Sequence, residues 1–454
     1  MTMESFAGRK VLVMGLGRFG GGVDAARFLH KAGAQVTVTD LASAEQLGES
    51  LGQLADLSGI EFHLGWHSTE DFERADIVVV NPAVPLDNRF VRLAQELGKV
   101  VTSQMNIFFD LCPATIVGIT GANGKSTTTA LTAHLLRTQV GRNVWLGGNI
   151  GNEPLLTVAD KIKPDDVVVL EVSSFQIEQL AAEKKAPHVA LLTNLTPNHL
   201  DRYGDFEAYC ASKEHLFKLQ KSRHDRPAVS IFNADDKIAR QWFDKYSKDG
   251  DRQCVKFSAD DVSEEIRSHW ELPGRANLSN LAAALSIARY FGVDDECVRG
   301  CLSEFKALPH RLELVAEIGG VRWYNDSKAT TPEGAMTALD AFDCPKIIIA
   351  GGYDKQTEFN ELGKSIADKA KAAILVGQSA QKIADAITAY AKKQTQIEIV
   401  DSLAVAVSQA SQLAASGDVV MLSPACASYD MFENYQQRGR EFVKLVEQLC
   451  NIDK

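Results

Sequence analysis

The stretch TGANGKSTTT at residues 120–129 decides the reading of this chain. A short apolar run, TIVGI, precedes it, and ALTAHLLRT follows with helical spacing. Strand, glycine-rich turn, Gly124-Lys125-Ser126 and helix are the wiring of a phosphate-binding loop. Gly121, Asn123 and Gly124 let backbone N–H groups close around phosphate oxygens, and the helix start adds a favourable dipole. Lys125 is placed to reach the β- and γ-phosphates and the Ser126 hydroxyl to bind Mg²⁺, with Thr127 beside them. The usual pattern has glycine where Ile119 stands; the neighbouring glycines here are Gly118 and Gly121. A plain glycine turn would account for neither the Gly-Lys-Ser step nor the threonines that follow it.

On either side of this loop, apolar runs end in polar residues, which is where open α/β sheets place their ligands. VVVLEVSS (167–174) carries Glu171, a carboxylate positioned to help hold the nucleotide's Mg²⁺. VALLTNLT (189–196) leads into TPNHLDRYG, where His199 and Asp201 share a turn. On local grounds a metal or phosphate role for His199 and a structural one stand level. Lys213 lies in the helical segment DFEAYCASKEHLF and reads locally as an ordinary exposed lysine. Asn277 and Asn280, at the start of a helical run over 272–291, could cap that helix or read an adenine edge.

The N-terminal third has the same rhythm: KVLVMG (10–15), a glycine loop, a helical run to His30, QVTVTD (35–40), and later DIVVVN (76–81). Gly15-Leu16-Gly17-Arg18-Phe19-Gly20 fits G-x-G-x-x-G, and Asp40 ends the next strand. That pattern suits NAD or FAD, or equally the pyrophosphate of a nucleotide-diphosphate sugar; a tight turn for helix–sheet packing is the plainer alternative. Beyond Leu308-Pro309-His310-Arg311 come VRWYNDS (321–327), KIIIAGG (346–352), AAILVG (372–377), IEIVDS (397–402) and DVVMLSPA (418–425). Arg311, Asp326, Lys328, Lys355 and Ser428 fall at turns or strand ends there, where cations can clamp carboxylates or phosphates. Apolar runs without alternation suit parallel sheets covered on both faces. The expectation is an α/β chain of three domains: a Rossmann-like one over 1–108, a P-loop ATPase-like, mostly parallel one over 109–308, and a second Rossmann-like one over 309–454.

A length of 454 residues fits three domains at about 150 residues each. The net charge of −11 argues against a nucleic-acid or anionic-membrane partner, so any phosphate must be held by local cations and amides. The eight cysteines are scattered without a C-x-x-C, which suits reduced thiols. Neither a signal-peptide layout nor a bilayer-length apolar run is present, so a cytoplasmic protein without membrane insertion is expected.

Together these stretches resemble the Mur ligases, and within them the members that add D-glutamate. The resemblance is carried by GITGANGKSTTT (118–129), GGNIG (147–151), LEVSSFQIE (170–178), NLTPNHLDRYG (194–204), ASKEHLF (211–217), LPGRANLSN (272–280), LPHRLE (308–313), NDSKATTP (325–332) and LSPACASYDMFENYQQRG (422–439). It implies an ATP-dependent amide ligase joining D-glutamate to UDP-N-acetylmuramoyl-L-alanine through an acyl phosphate, working as a monomer with two Mg²⁺ ions. By resemblance, Lys125 and Ser126 hold phosphates and one Mg²⁺, and Glu171 shares that metal. His199 stands near the second metal, and Lys213 becomes a carbamate. The last assignment replaces the local reading and rests on Ala211-Ser212-Lys213. Asn277, Asn280, Arg311 and Asp326 are then ATP contacts. Gly15, Gly17, Arg18, Phe19, Asp40 and Asn149 serve the UDP substrate, and Lys328, Thr330, Lys355, Ser428 and Tyr435, with His310 in support, serve D-glutamate. Asn81-Pro82-Ala83 stands where relatives have Ser-Pro-Gly, and Tyr435 where phenylalanine is usual. A folylpolyglutamate-type ligase and a nicotinamide-dependent oxidoreductase are the alternatives.

Overall fold

The structure, a computed structural model, describes residues 1–18, 20–139, 141–150, 154–223, 226–390 and 395–452. It contains three open sheets, and the apolar runs above form their centres. The first joins β1 (Lys10–Met14), β2 (Gln35–Asp40), β3 (Glu61–Leu64), β4 (Ile77–Val80) and β5 (Val100–Thr102) in the order β3-β2-β1-β4-β5, all parallel. The second joins β6 (Thr115–Thr120), β7 (Val144–Gly148), β8 (Val167–Glu171), β9 (Val189–Leu192), β10 (Ala228–Asn233) and β11 (Arg252–Phe257) in the order β11-β10-β9-β6-β8-β7, again parallel. The third joins β12 (Glu313–Ile318), β13 (Val321–Asn325), β14 (Lys346–Ala350), β15 (Ala372–Val376), β16 (Gln396–Val400) and β17 (Val419–Leu422) in the order β12-β13-β17-β14-β15-β16.

The chain divides into two compact units, one of residues 1–261 and 280–298, the other of 262–279 and 299–454. The first two sheets lie in the first unit and the third sheet in the second. In each of the first two sheets the order reverses beside the strand that precedes a glycine loop: β1 lies between β2 and β4, and β6 between β9 and β8. A loop leaving such a strand opens into a crevice between diverging connections, the usual ligand position in this architecture. Central strands are buried on both faces, as Val168, Val169 and Leu170 are, and each such side chain stabilises the fold by about 2 kcal/mol.

The expected strands are present but shorter at their polar ends. β9 stops at Leu192, which frees Thr193 and Asn194 from the ladder to bond elsewhere. One pairing departs from the parallel expectation. β12 runs antiparallel to β13 through the two-residue turn Gly319-Gly320, both at positive φ (57° and 76°), the geometry a tight hairpin requires. All eight cysteines are free thiols. No helix among the described residues is long and apolar enough to cross a membrane.

Within the first unit, Asp24 ties the helix Gly21–Lys31 to its surroundings. Its carboxylate is 3% exposed and accepts from Gln104 Nε2 (2.7 Å), Leu156 N (3.1 Å), Thr157 N (3.0 Å) and Thr157 Oγ1 (2.7 Å). Burial raises its pKa, and the Thr157, Gln104 and Leu156 bonds oppose that rise. Removing the acceptor strands donors in a dry site. Asp24→Ala is therefore expected to destabilise this unit by about 3 kcal/mol, read as a lower urea midpoint at an unchanged slope. An unchanged midpoint would remove Asp24 from this role.

Candidate active site

The phosphate loop lies between β6 and the helix Lys125–Leu136, and its glycines are required by what surrounds them. Gly121 has φ +148°, and a Cβ there would stand 2.0 Å from Thr193 Oγ1. Gly124 has φ +80°, and a Cβ there would stand 2.2 Å from Asn280 Oδ1. The loop is held from the β9 side: Ala122 N donates to Asn194 O (2.8 Å), Asn123 N to Asn194 Oδ1 (2.9 Å), and Thr193 Oγ1 to Asn123 O (2.6 Å). Thr128 Oγ1 donates to Asn280 Oδ1 at 3.3 Å. The helix containing Asn277 and Asn280 begins at Arg275, so neither residue caps it. Asn277 Nδ2 instead donates to Pro273 O (2.8 Å).

Three charged side chains converge behind the loop. Lys125 Nζ donates to Ala122 O at 2.8 Å. Glu171, at the end of β8 and only 2% exposed, accepts from Ser126 Oγ and from Asn149 Nδ2 (2.9 Å). It is not a solvated strand-end carboxylate. Lys213, on the helix Phe206–Lys218, is 2% exposed, which overturns the local reading of it as a surface lysine. Its Nζ donates to Thr120 Oγ1 (3.3 Å) and lies 4.9 Å from the Tyr209 ring centre. Burial, and secondarily the Lys125 cation, drive its pKa well below the usual lysine value, with Glu171 pulling the other way. His199 has φ +53° and packs its ring against Phe175 (5.0 Å) and Tyr209 (6.3 Å). Burial, and then the neighbouring Lys125 cation, lowers its pKa and so favours the neutral imidazole.

The Ser126–Glu171 pair sets a hydroxyl and a carboxylate oxygen side by side, a donor set of the hard-oxygen type that suits Mg²⁺. Among the described residues no group of three His, Cys, Asp or Glu is assembled for a metal.

The N-terminal glycine loop follows β1. Gly15 (φ +93°) lies under Asn81, whose Cβ would be 2.7 Å from a Cβ on the glycine, and Asn81 Nδ2 donates to Gly15 O (3.2 Å). Asp40 Oδ2 accepts from Gly17 N (3.0 Å) and Oδ1 from Ala42 N (2.8 Å), so the carboxylate braces the loop. Arg18 is exposed, and Phe19 lies outside the described residues.

In the second unit Asp326 follows β13. It accepts from Leu312 N (3.1 Å) and Ser423 Oγ (2.8 Å), and burial pushes its pKa up to about 7, with Arg311 opposing. A raised folded value means that folding favours the protonated form. That contribution is complete below the ordinary carboxyl value and is lost as pH rises through about 7. The parent's urea midpoint is expected to fall as pH rises from about 4 to about 7, and Asp326→Asn should flatten that fall. Identical pH profiles would contradict this.

His310 (φ +66°) is neutral by burial, accepts from Asn325 Nδ2 (2.9 Å) and packs edge-on to Tyr435 (6.0 Å). Lys328 Nζ stands 5.1 Å from the same ring. Thr330 N donates to Lys328 O (2.9 Å). The bridge Tyr353–Ala427 (N to O, 2.9 Å) joins the segment carrying exposed Lys355 to the one carrying buried Ser428. The sequence reading missed Arg438. It is 2% exposed and donates to Ser327 Oγ (3.0 Å), Ser327 O (2.8 Å) and Cys426 O (3.1 Å), fastening the ends of β13 and β17 together. Nothing in NYQQRG marks its arginine as buried. Tyr209 and Asn194 lie outside the site residues named from the sequence, since the fold brings them to the loop.

Comparison with known proteins matches three family descriptions along the chain: "Mur ligase MurD-like, N-terminal domain" over residues 9–103, "Mur ligase middle domain" over 119–268, and "Mur ligase, glutamate ligase domain" over 310–426. A UDP-N-acetylmuramoylalanine–D-glutamate ligase from Roseiflexus sp. is 40% identical over 97% of this chain and 99% of its own length. One of the same description from Acidobacterium capsulatum is 39% identical over 97% and 96%. Among solved structures, a UDP-N-acetylmuramate–alanine ligase from Thermotoga maritima aligns with a TM-score of 0.60 at 20% identity, covering 97% of this chain and 99% of the other. A pseudomurein peptide ligase from Methanothermus fervidus aligns with a TM-score of 0.57 at 18% identity, covering 97% and 100%. At these identities the two structures speak for the fold alone.

Proposed function

The chain belongs to the Mur ligase family, and from that premise we propose that it is the ATP-dependent ligase that joins D-glutamate to the carboxylate of UDP-N-acetylmuramoyl-L-alanine in peptidoglycan precursor synthesis. The observation that carries the chemistry is the convergence of Lys125, Ser126–Glu171 and buried Lys213 on one phosphate loop. The choice of D-glutamate is supported by the full-length similarity to ligases of that description.

A carboxylate is a poor electrophile, and phosphorylation gives it a leaving group. The alanine carboxylate oxygen attacks the γ-phosphorus, the bond to the β,γ-bridging oxygen breaks, and ADP leaves. The neutral amine of D-glutamate then adds to the acyl carbon, and the tetrahedral centre collapses to the amide with loss of phosphate and a proton. The residues orient the reactants and neutralise charge, which is most of what phosphoryl transfer needs. Lys125 and the loop amides face the phosphates. Ser126 and Glu171 would hold one Mg²⁺, and His199 and Lys213 would serve a second, which supplies further charge neutralisation. A neutral buried amine is the form that takes up carbon dioxide, so we read Lys213 as a carbamate in the working enzyme.

In the same reading Asn277, Asn280, Arg311 and Asp326 serve ATP. Gly15, Gly17, Arg18, Asp40 and Asn149 serve the UDP substrate, and Lys328, Thr330, Lys355, Ser428 and Tyr435, with His310, serve D-glutamate. The division into domains 1–108, 109–308 and 309–454, a monomeric state and a cytoplasmic location belong to this proposal as well. An assay of phosphate release against a panel of amino acids tests the substrate. Release should require both UDP-N-acetylmuramoyl-L-alanine and D-glutamate; activity with L-glutamate and none with D-glutamate would refute it.

A further inference from the structure

Leu41 and Trp66, at 67% and 58% exposure, are two large apolar side chains set in water at the C-terminal edge of the N-terminal sheet. Neither sits on a loose loop tip. Leu41 directly follows β2, and Gly65 (φ +88°) carries the chain across it by donating its N–H to Asp40 O (2.8 Å) and Ala42 O (3.1 Å). Thr39, fully buried in β2, donates through Oγ1 to Trp66 O (3.2 Å) and bonds His67 Nδ1 (2.8 Å). His67 in turn packs edge-on against Phe90 (5.2 Å) and Phe72 (6.3 Å). An indole left 58% exposed on a backbone pinned this firmly contributes little apolar burial to the fold.

Its position supplies a reason. The ends of β1, β2 and β3 are consecutive in the sheet, about 5 Å apart. They carry, in that order, the glycine loop, Asp40 with Leu41, and Trp66. The loop amides suit a pyrophosphate, and the next two strand ends then lie where the ribose and base of the same molecule extend. We propose that the exposed Trp66 is the stacking platform for the pyrimidine base of a uridine diphosphate group. This rests on reading the glycine loop as the UDP cradle. The phosphates and the carboxylate set register, and the aromatic face supplies affinity that a phosphate cradle alone does not.

The test is binding of UDP, and of inorganic pyrophosphate as a probe of the cradle, to the full chain and to its Trp66→Ala and Trp66→Phe variants. The expected result is a Kd for UDP weakened about tenfold or more in Trp66→Ala and largely restored in Trp66→Phe, with pyrophosphate binding unchanged. The other four tryptophans are buried or half-buried, so UDP should also quench an exposed tryptophan signal that Trp66→Phe lacks. Equal UDP affinity in parent and Trp66→Ala would overturn the platform while leaving the cradle standing. Failure of the parent to bind UDP at all would overturn the cradle, and the platform with it. Because Trp66 is exposed, unfolding midpoints of the variants should match the parent, which separates loss of stacking from loss of structure.

Discussion

Replacing Lys213 by alanine will lower ligase turnover by about 10³-fold, the scale of losing a principal charge-stabilising group at a transition state. Lys213 is sealed from solvent, held through Thr120 Oγ1 and the Tyr209 ring face among its described contacts, and pushed towards the neutral amine by burial beside the Lys125 cation. An ammonium at this place would add a second positive charge, beside Lys125, opposite the buried carboxylate of Glu171. On the proposed reading a carbamate would reverse the sign: the amine nitrogen would bond carbon dioxide, a proton would leave, and two oxygens would face the proposed metal site. Alanine would delete that proposed anion and leave a cavity of matching size. Formate or acetate should therefore restore a measurable part of the activity of Lys213→Ala and none of the activity of a Glu171→Ala control. Intact mass of the native protein should show one added carbon dioxide that the variant lacks. Full turnover in Lys213→Ala would remove the residue from the mechanism.

Lys125→Ala should cost as much, by a different route. A unit charge about 4 Å from a phosphate oxygen at an effective dielectric near 20 contributes about 4 kcal/mol, or about 10³-fold in rate if it acts mainly on the transferring phosphoryl group. The loss should appear in single-turnover phosphate release at saturating ATP, not only in KM. Arginine should rescue poorly, because its planar fork is longer and cannot replace a compact ammonium folded over Ala122 O. The two lysines also act on one another, since the Lys125 charge helps hold Lys213 neutral. Their double variant should lose less than the two single losses combined. Turnover within tenfold of the parent in Lys125→Ala would contradict this account of the loop.

Much of this is legible in consecutive residues of the sequence. The phosphate loop, the N-terminal glycine loop and the central strands follow from local patterns, because glycine at a positive φ and unbroken apolar runs leave their mark in consecutive residues. Lys213 shows the opposite case. The periodicity of DFEAYCASKEHLF permits an exposed lysine, and only the packing of that helix over Thr120 buries it. Arg438 is similar, since its partners Ser327 and Cys426 lie 111 and 12 residues away. Asp40 was read as a ligand group, and the structure engages one of its oxygens with Gly17 and the other with Ala42. The edge strand β12 was missed because ELVAEI mixes charge with apolar residues, although Gly319-Gly320 after it is a hairpin signal.

The central claim is that the phosphate loop activates a carboxylate for attack by D-glutamate. The most direct measurement supplies UDP-N-acetylmuramoyl-L-alanine with heavy oxygen in its alanine carboxylate, together with ATP and D-glutamate, and follows the label. The account predicts that each turnover moves one labelled oxygen into the released phosphate and leaves the other in the new amide. Unlabelled phosphate formed in step with the amide product would contradict it.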